Sequence, residues 1–201
     1  MGSQERRERE KLEQRQRILD AALKIITKEG FAALSMRKLA ESIEYSAASI
    51  YLYFENREQL AQELSEQGFG ELLLLLSAAA AKQKAVEALH AVGAAYVAYG
   101  EKNPEMYRLI FMGDSEYMTA AFGKQKEDSA GTKAYQALLD LAIRLQSEGF
   151  GKEAPTVEIA ELIWMTLHGI VSLHLTCVGL QLTSPKKLVR RATETLALGL
   201  T

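Results

Sequence analysis

The segment between Glu161 and Lys186 constrains the fold of this 201-residue chain more than any other feature. Its 24 residues, LIWMTLHGIVSLHLTCVGLQLTSP, carry no formal charge. A helix that is apolar on every side must be buried in a protein core, an interface or a membrane. About 20 such residues span a bilayer, and basic residues follow at 186–191, but six polar side chains inside the segment disfavour that alternative. We therefore expect one face to line an internal cavity and another to pack against a second copy of the chain.

Helical periodicity dominates the remaining sequence, and no segment indicates a β-hairpin. Ile18, Ala22 and Ile25 lie at helical spacing before Gly30, which is expected to end that helix. Similar caps and stops predict about nine helices, with a loop at 123–131 and the last two helices at about 156–182 and 185–200. The expected fold class is all-α. An N-terminal three-helix head with a basic arm (1–56) would precede a larger helical domain (57–201).

Residues 35–60, SMRKLAESIEYSAASIYLYFENREQL, place two short capped helices on either side of a tight turn. This arrangement is typical of a helix-turn-helix, whose second helix enters the major groove of DNA. Small residues in the second helix would let its backbone approach base edges, while phenolic hydroxyls and an arginine reach phosphates. A three-helix packing unit without any DNA role would show the same pattern. The side chains in question are Arg37, Ala47, Ala48, Ser49, Tyr51, Tyr53 and Arg57.

Charge and cysteine content fit a soluble protein with a mildly basic N-terminus. Residues 1–57 carry 11 basic and 9 acidic side chains, whereas the rest carries 13 and 17. The single cysteine, Cys177, excludes an internal disulfide and fits a reducing compartment. The charged N-terminus lacks the apolar stretch of a secretion signal. We therefore expect a cytoplasmic location.

Residues 15–60 resemble the TetR/AcrR family of transcriptional regulators. The resemblance rests on residues 18–22 (ILDAA), 30–31 (GF), 35–40 (SMRKLA) and, above all, 46–60 (SAASIYLYFENREQL). It implies a DNA-binding homodimer whose basic N-terminal arm helps to grip the duplex. The DNA contacts implied by position are Arg37, Ser46, Ala47, Ser49, Tyr51, Tyr53 and Arg57.

Two residues depart from the family pattern. Glu44 occupies the turn position where the family usually has glycine, so the turn must accept a side chain, at some cost if its conformation is left-handed. Ala47 stands where a lysine is frequent, which removes one expected phosphate contact. Both departures bear on affinity and operator sequence rather than on the presence of the domain.

The C-terminal region resembles the regulatory domain of one subgroup of the family, through residues 103–111 (NPEMYRLIF) and Trp164-x-x-x-His168-Gly169. The resemblance implies a ligand-binding and dimerisation domain whose last two helices pair across a two-fold axis. Aromatic walls with a few polar handles would suit a flat or lipophilic small molecule, although a plain aromatic core would look similar. The candidate ligand-binding residues are Tyr96, Tyr107, Phe111, Tyr135, Trp164 and His168.

No catalytic motif is evident, so we expect no enzyme activity, cofactor or metal. His174 and Cys177 lie three residues apart on one helix face, but a third ligand is missing. The sequence thus predicts a ligand-responsive homodimeric repressor that binds a pseudo-palindromic operator. Two alternatives stay open: a DNA-binding dimer controlled by a partner protein, and a helical enzyme or lipid carrier that retains a vestigial head.

Overall fold

The computed structural model describes residues 2–123 and 127–199, and these residues form helices and connections without any strand. A 3₁₀ turn, Phe31–Ala33, follows the first α-helix. The α-helices are α1 (Ser3–Glu29), α2 (Met36–Ser42), α3 (Ala47–Tyr51), α4 (Arg57–Ala80), α5 (Ala85–Lys102), α6 (Pro104–Met112), α7 (Ser115–Phe122), α8 (Ala130–Ser147), α9 (Thr156–Thr176) and α10 (Pro185–Gly199). The all-α prediction is confirmed.

The number of helices and two helix boundaries differ from the sequence-based expectation. The described residues contain ten α-helices instead of about nine, because α7 forms a separate helix after its N-cap, Asp114. The predicted loop at 123–131 lies partly outside the described residues, and α8 begins at Ala130 with Ser129 as its cap. The penultimate helix ends at Thr176 instead of near residue 182. The β-branched Val178 and then Gly179 are poor helix formers, which accounts for this early end.

The chain forms two compact units, Met1–Gly68 with Glu105–Lys126, and Phe69–Pro104 with Glu127–Thr201. Helices α6 and α7 therefore belong to the same unit as the helix-turn-helix, while α4 contributes residues to both. The domain boundary at residue 56 stays a prediction.

The core of the first unit joins α1 to α2, α3 and the following turn. Ile18, Leu39, Ile50 and Phe54 are all essentially inaccessible to solvent. Farther along the same unit, α4 approaches α6 closely at Gly68. A Cβ atom at Gly68 would lie 2.8 Å from the sulfur of Met106 and 2.9 Å from Cγ2 of Ile110. Glycine therefore permits this helix contact.

The core of the second unit joins α5 to α8, α9 and α10. Helices α5 and α10 pack tightly at Gly93, where a Cβ atom would lie 2.8 Å from Cγ2 of Thr193 and 3.1 Å from Cγ2 of Val189. The buried Thr193 hydroxyl donates to the Val189 carbonyl (2.9 Å) and lies 2.6 Å from Nδ1 of His90. The buried Thr193 hydroxyl therefore has hydrogen-bond partners, as burial requires.

Helix α9 is buried on only one side within a single chain. Ile163 and Leu167 are fully buried, whereas Leu162, Met165 and Leu173 are 51%, 62% and 53% exposed. Among the described residues α9 alone is long and apolar enough to cross a membrane, but the core helix of a soluble protein meets the same criteria. One side of this helix is thus left uncovered in the single chain, and the expected pairing with a second copy stays a prediction.

Candidate functional site

The turn between α2 and α3 is as tight as the sequence predicts. Ser35 Oγ accepts a hydrogen bond from the Lys38 amide (3.2 Å), and Ser46 Oγ accepts one from the Ser49 amide (3.1 Å). Glu44 adopts φ 60°, and within the described residues no other non-glycine residue has a positive φ. The predicted left-handed conformation at Glu44 is therefore confirmed.

Helix α3 buries one side and presents the other to solvent. Ile50 is fully buried, and Phe54, just beyond the helix, is 1% exposed. Ser46, Ala48 and Tyr51 are exposed on the opposite side, with Tyr51 at 56%. Of the other predicted DNA contacts, Arg37 is exposed and pairs with Glu41, whereas Ala47, Ser49, Tyr53 and Arg57 are half-buried.

Helix α1 braces the end of α3 through Arg15, a role that the sequence did not predict. Arg15 Nη1 donates to the Tyr53 carbonyl (2.7 Å), and its guanidinium lies 4.3 Å from the centre of the Phe54 ring. The same side chain pairs with Glu63 on α4. Burial raises the pKa of the Glu63 carboxyl, and the charge of Arg15 opposes this shift. Arg15 thereby ties three helices together.

A similar brace lies at the other end of α3. The Tyr45 hydroxyl bonds to the side chain of Gln14, and the Arg17 guanidinium lies 5.6 Å from the centre of the Tyr45 ring. The Tyr45 amide also donates a hydrogen bond to the Ala40 carbonyl (2.8 Å) across the turn. The position of α3 is therefore set at both ends by α1. From the sequence alone, Arg15 and Arg17 could be recognised only as part of the charged N-terminal segment.

Arg57, at the start of α4, is engaged by two carboxylates and an aromatic ring. Its Nη2 donates to Glu116 on α7 (2.6 Å), and its Nε donates to Glu58 (3.1 Å). The guanidinium lies 4.8 Å from the centre of the Phe31 ring. The hydrogen bond to Glu116 is the main cause that raises the pKa of Arg57, so this residue stays charged.

The six predicted ligand-binding residues divide between the two units. In the second unit, Trp164 Nε1 donates to the Tyr96 hydroxyl (3.2 Å), and the Tyr135 and Trp164 rings meet edge to face with centres 6.2 Å apart. His168, one turn after Trp164, is half-buried, and burial lowers its pKa. Tyr107 and Phe111 belong to the first unit, where their ring centres lie 4.8 Å apart.

His174 and Cys177 are not arranged as metal ligands. Nδ1 of His174 lies 2.9 Å from the Ile170 carbonyl oxygen, and Nε2 lies 2.9 Å from that of Thr183. One ring nitrogen thus contacts the backbone of α9 and the other contacts the connection before α10. Across the described part of the chain, no three His, Cys, Asp or Glu residues cluster to hold a metal ion.

Family models match both parts of the chain. Residues 18–64 match the model for bacterial regulatory proteins of the tetR family. Residues 89–196, more than half of the chain, match the tetracyclin repressor-like C-terminal domain.

Relatives with curated descriptions are HTH-type transcriptional regulators. An uncharacterized regulator of Haemophilus influenzae is 33% identical over 61 residues, which cover 30% of this chain and 33% of that protein. The repressor KstR of Mycolicibacterium smegmatis is 40% identical over 60 residues, covering 30% of this chain and 27% of KstR. Each match thus spans a third or less of the relative. YfiR of Bacillus subtilis, also uncharacterized, is 25% identical over 163 residues, covering 77% of this chain and 76% of YfiR.

Solved structures of similar fold cover nearly the whole chain. A protein of unknown function from Rhodococcus sp. RHA1 superposes with a TM-score of 0.73 at 25% identity, covering 92% of this chain and 94% of that one. FadR from Bacillus subtilis, solved with stearoyl-CoA, gives a TM-score of 0.75 at 18% identity, covering 92% and 99%. At that identity the likeness to FadR shows the fold alone. Since family models match the helix-turn-helix and more than half of the chain, this protein belongs to the TetR family of bacterial transcriptional regulators.

Proposed function

We propose that this protein is a cytoplasmic, homodimeric transcriptional repressor that binds a pseudo-palindromic operator and is released by a small lipophilic or aromatic molecule. The observation that carries the proposal is the exposed face of α3, which α1 braces through Arg15 and through Gln14, the partner of Tyr45. A helix held at both ends keeps its register in the major groove. Preorganisation of this kind reduces the entropy lost on binding.

The exposed side of α3 suits DNA in its chemistry. Small side chains permit close approach of the backbone to base edges, and phenolic hydroxyls reach phosphate oxygens. In a two-fold dimer the two α3 helices would enter major grooves about one helical turn, ~34 Å, apart. The proposed DNA contacts are Arg37, Ser46, Ala47, Ser49, Tyr51, Tyr53 and Arg57.

Selection from a random pool of double-stranded DNA tests operator binding directly. We expect a pseudo-palindromic consensus whose affinity falls steeply with salt. Tyr51→Phe removes one phosphate-contacting hydroxyl and should weaken binding about fivefold, the worth of roughly 1 kcal/mol for a hydrogen bond. Tyr99→Phe, in the second unit, makes the same chemical change and should leave affinity unaltered. Failure of the wild-type protein to bind any duplex at low ionic strength would refute the proposal.

The exposed face of α9 supports dimerisation through α9 and α10. Leu162, Met165 and Leu173 form an apolar stripe, and Gly169 lies between them. A Cβ atom at Gly169 would have no neighbour within 4 Å, so this point of the helix is open. A second α9 can approach closely at a glycine, and an exposed apolar stripe is typical of an interface.

A charge placed on the α9 stripe tests this interface. Met165→Glu should convert the dimer to monomer in sedimentation or light-scattering measurements, because a carboxylate buried without a partner is costly. Leu74→Glu is the matched control, since Leu74 on α4 is 73% exposed and lies outside the stripe. A dimer that persists in Met165→Glu would exclude α9 as the contact.

The aromatic cluster of the second unit supports a lipophilic effector. Tyr96, Tyr135 and Trp164 lie together, and His168 adds a polar group one turn away. Among the structural neighbours, FadR from Bacillus halodurans is a fatty acid degradation regulator and KstR2 from Mycobacterium tuberculosis a ketosteroid regulator. The effector would favour the conformation that cannot span the operator. The proposed ligand-binding residues of this unit are Tyr96, Tyr135, Trp164 and His168.

Trp164 is the only tryptophan in the chain, so its fluorescence reports on this cluster. We expect fatty acyl, steroid or aromatic compounds of one class to change the Trp164 emission, raise the unfolding temperature and weaken operator binding together. Tyr135→Ala should reduce all three effects. If no compound class does so while operator binding is intact, control by a partner protein becomes the better account.

A further inference from the structure

Glu116 of α7 forms the shortest polar contact of Arg57. The bond from Nη2 of Arg57 to Oε1 of Glu116 measures 2.6 Å and joins residues 59 positions apart in the sequence. Both side chains keep access to solvent, at 32% for Arg57 and 49% for Glu116. The pair therefore lies at the surface of the first unit, where another anion can reach it.

Nη2 takes part in both ways in which an arginine can bind a DNA phosphate through two nitrogens. An arginine binds a phosphate or carboxylate in a bidentate manner either through Nε and Nη2 or through Nη1 and Nη2. The Glu116 carboxylate uses one of the two N–H groups of Nη2, and its negative charge beside the guanidinium disfavours a phosphate in either arrangement. Glu58 occupies Nε as well (3.1 Å). The guanidinium already has the two anionic partners that a phosphate would replace.

Helix α7 is held in place by contacts other than this ion pair. Asp114 accepts hydrogen bonds from the Tyr117 amide (2.8 Å) and from the Phe31 amide (3.3 Å). The Tyr117 hydroxyl donates to the Ala61 carbonyl (3.4 Å) on α4. Glu116 thus extends from an anchored helix and cannot simply follow Arg57 toward DNA.

We propose that Glu116 competes with DNA phosphate for Arg57, so that operator binding requires exchange of this carboxylate for a phosphate oxygen. The inference rests on the proposed DNA-binding function and deepens it. Helix α7 thereby lowers the affinity of the head for DNA. Any change that withdraws Glu116 from Arg57 raises that affinity.

The test is a double-mutant cycle in operator affinity. Glu116→Gln keeps the size of the side chain but removes its charge, and should tighten binding about two- to fivefold, the range for exposed ion pairs. The slope of log affinity against log salt should stay nearly unchanged, since Arg57 contacts a phosphate in the complexes of both proteins. In an Arg57→Gln background the same change should have a smaller effect on affinity and none on the slope.

Glu55→Gln is the matched control for the general effect of removing a negative charge near DNA. Glu55 lies two residues before α4, and within the described chain its side chain has no hydrogen bond or ion pair. It should change affinity equally with and without Arg57. Circular dichroism of each variant verifies that α7 and the head remain folded.

Two outcomes would overturn the inference while operator binding itself stays intact. Weaker binding by Glu116→Gln would mean that Glu116 orients Arg57 for DNA instead of competing for it. An equal effect of Glu116→Gln in both backgrounds would mean that only its charge matters. If the wild-type protein binds no duplex at all, the proposed function fails, and this inference with it.

Discussion

Replacement of Glu44 by glycine should stabilise the turn between α2 and α3. Glu44 has φ 60°, and a left-handed conformation costs a non-glycine residue about 1–2 kcal/mol. Glycine avoids that cost but loses roughly 0.5–1 kcal/mol more conformational entropy on folding. The Glu44 side chain is exposed and forms no hydrogen bond or ion pair among the described residues, so little else is lost. We therefore expect Glu44→Gly to raise the free energy of opening this turn by about 0.5–1 kcal/mol.

Hydrogen exchange at the Tyr45 amide measures this gain where it arises. That amide donates to the Ala40 carbonyl (2.8 Å) across the turn, so it exchanges only when the turn opens. A gain of about 0.5–1 kcal/mol slows opening-limited exchange about two- to fivefold. Glu44→Gln, which keeps a side chain in the left-handed conformation, should leave the exchange rate unchanged.

Glu41→Gly is the matched control, because it makes the same chemical change within helix α2. At position 41 glycine should destabilise helix α2 by about 1 kcal/mol, and the ion pair between Glu41 and Arg37 is also lost. Opposite signs for the two substitutions would establish that backbone conformation decides the outcome. Faster exchange in Glu44→Gly than in the wild-type protein would refute the strain argument.

Three further predictions concern packing, capping and pH. Gly93→Ala should destabilise the protein by about 1–3 kcal/mol because the new methyl group collides with Thr193, whereas Gly70→Ala, which meets open space, should stabilise α4 by up to about 1 kcal/mol. Thermal unfolding of both variants gives the comparison, and the reverse order would contradict the packing described. Asp114→Ala should cost about 1–2 kcal/mol in urea unfolding, since the α7 cap and the bond to the Phe31 amide are lost together. His168 has a pKa lowered by burial, so the unfolded chain takes up its proton first as the pH falls below about 6.5, and the folded state loses stability there. A His168→Gln variant should lose less stability between pH 7 and 5, and parallel pH profiles would show that His168 is not the cause.

The helix-turn-helix could be predicted from sequence because its determinants are local. Ser35 and Ser46 cap the helices that follow them, and each bond spans only three residues. The burial of Ile50 likewise follows from helical spacing alone. The left-handed Glu44 could be anticipated because a turn that usually needs glycine keeps its backbone conformation when another residue stands there.

Features that depend on distant pairings could not be predicted in this way. Helix α7 is only eight residues long, and its N-terminal anchor is the bond between Asp114 and the Phe31 amide, 83 positions away. The sequence predicted Arg57 as a phosphate contact, but it did not indicate that Arg57 forms an ion pair with Glu116. It also grouped Tyr107 with Trp164, whereas the fold assigns them to different units.

By itself, the sequence determined the helical class, the two capped helices and the apolar character of α9, since each follows from neighbouring residues and a repeat of 3.6. The tertiary structure alone decided that Arg15 braces α3, that Glu116 pairs with Arg57, and that one side of α9 stays uncovered. These features depend on which side chains meet after the chain has folded. Periodicity shows which face of a helix is apolar, but it cannot show what lies opposite that face.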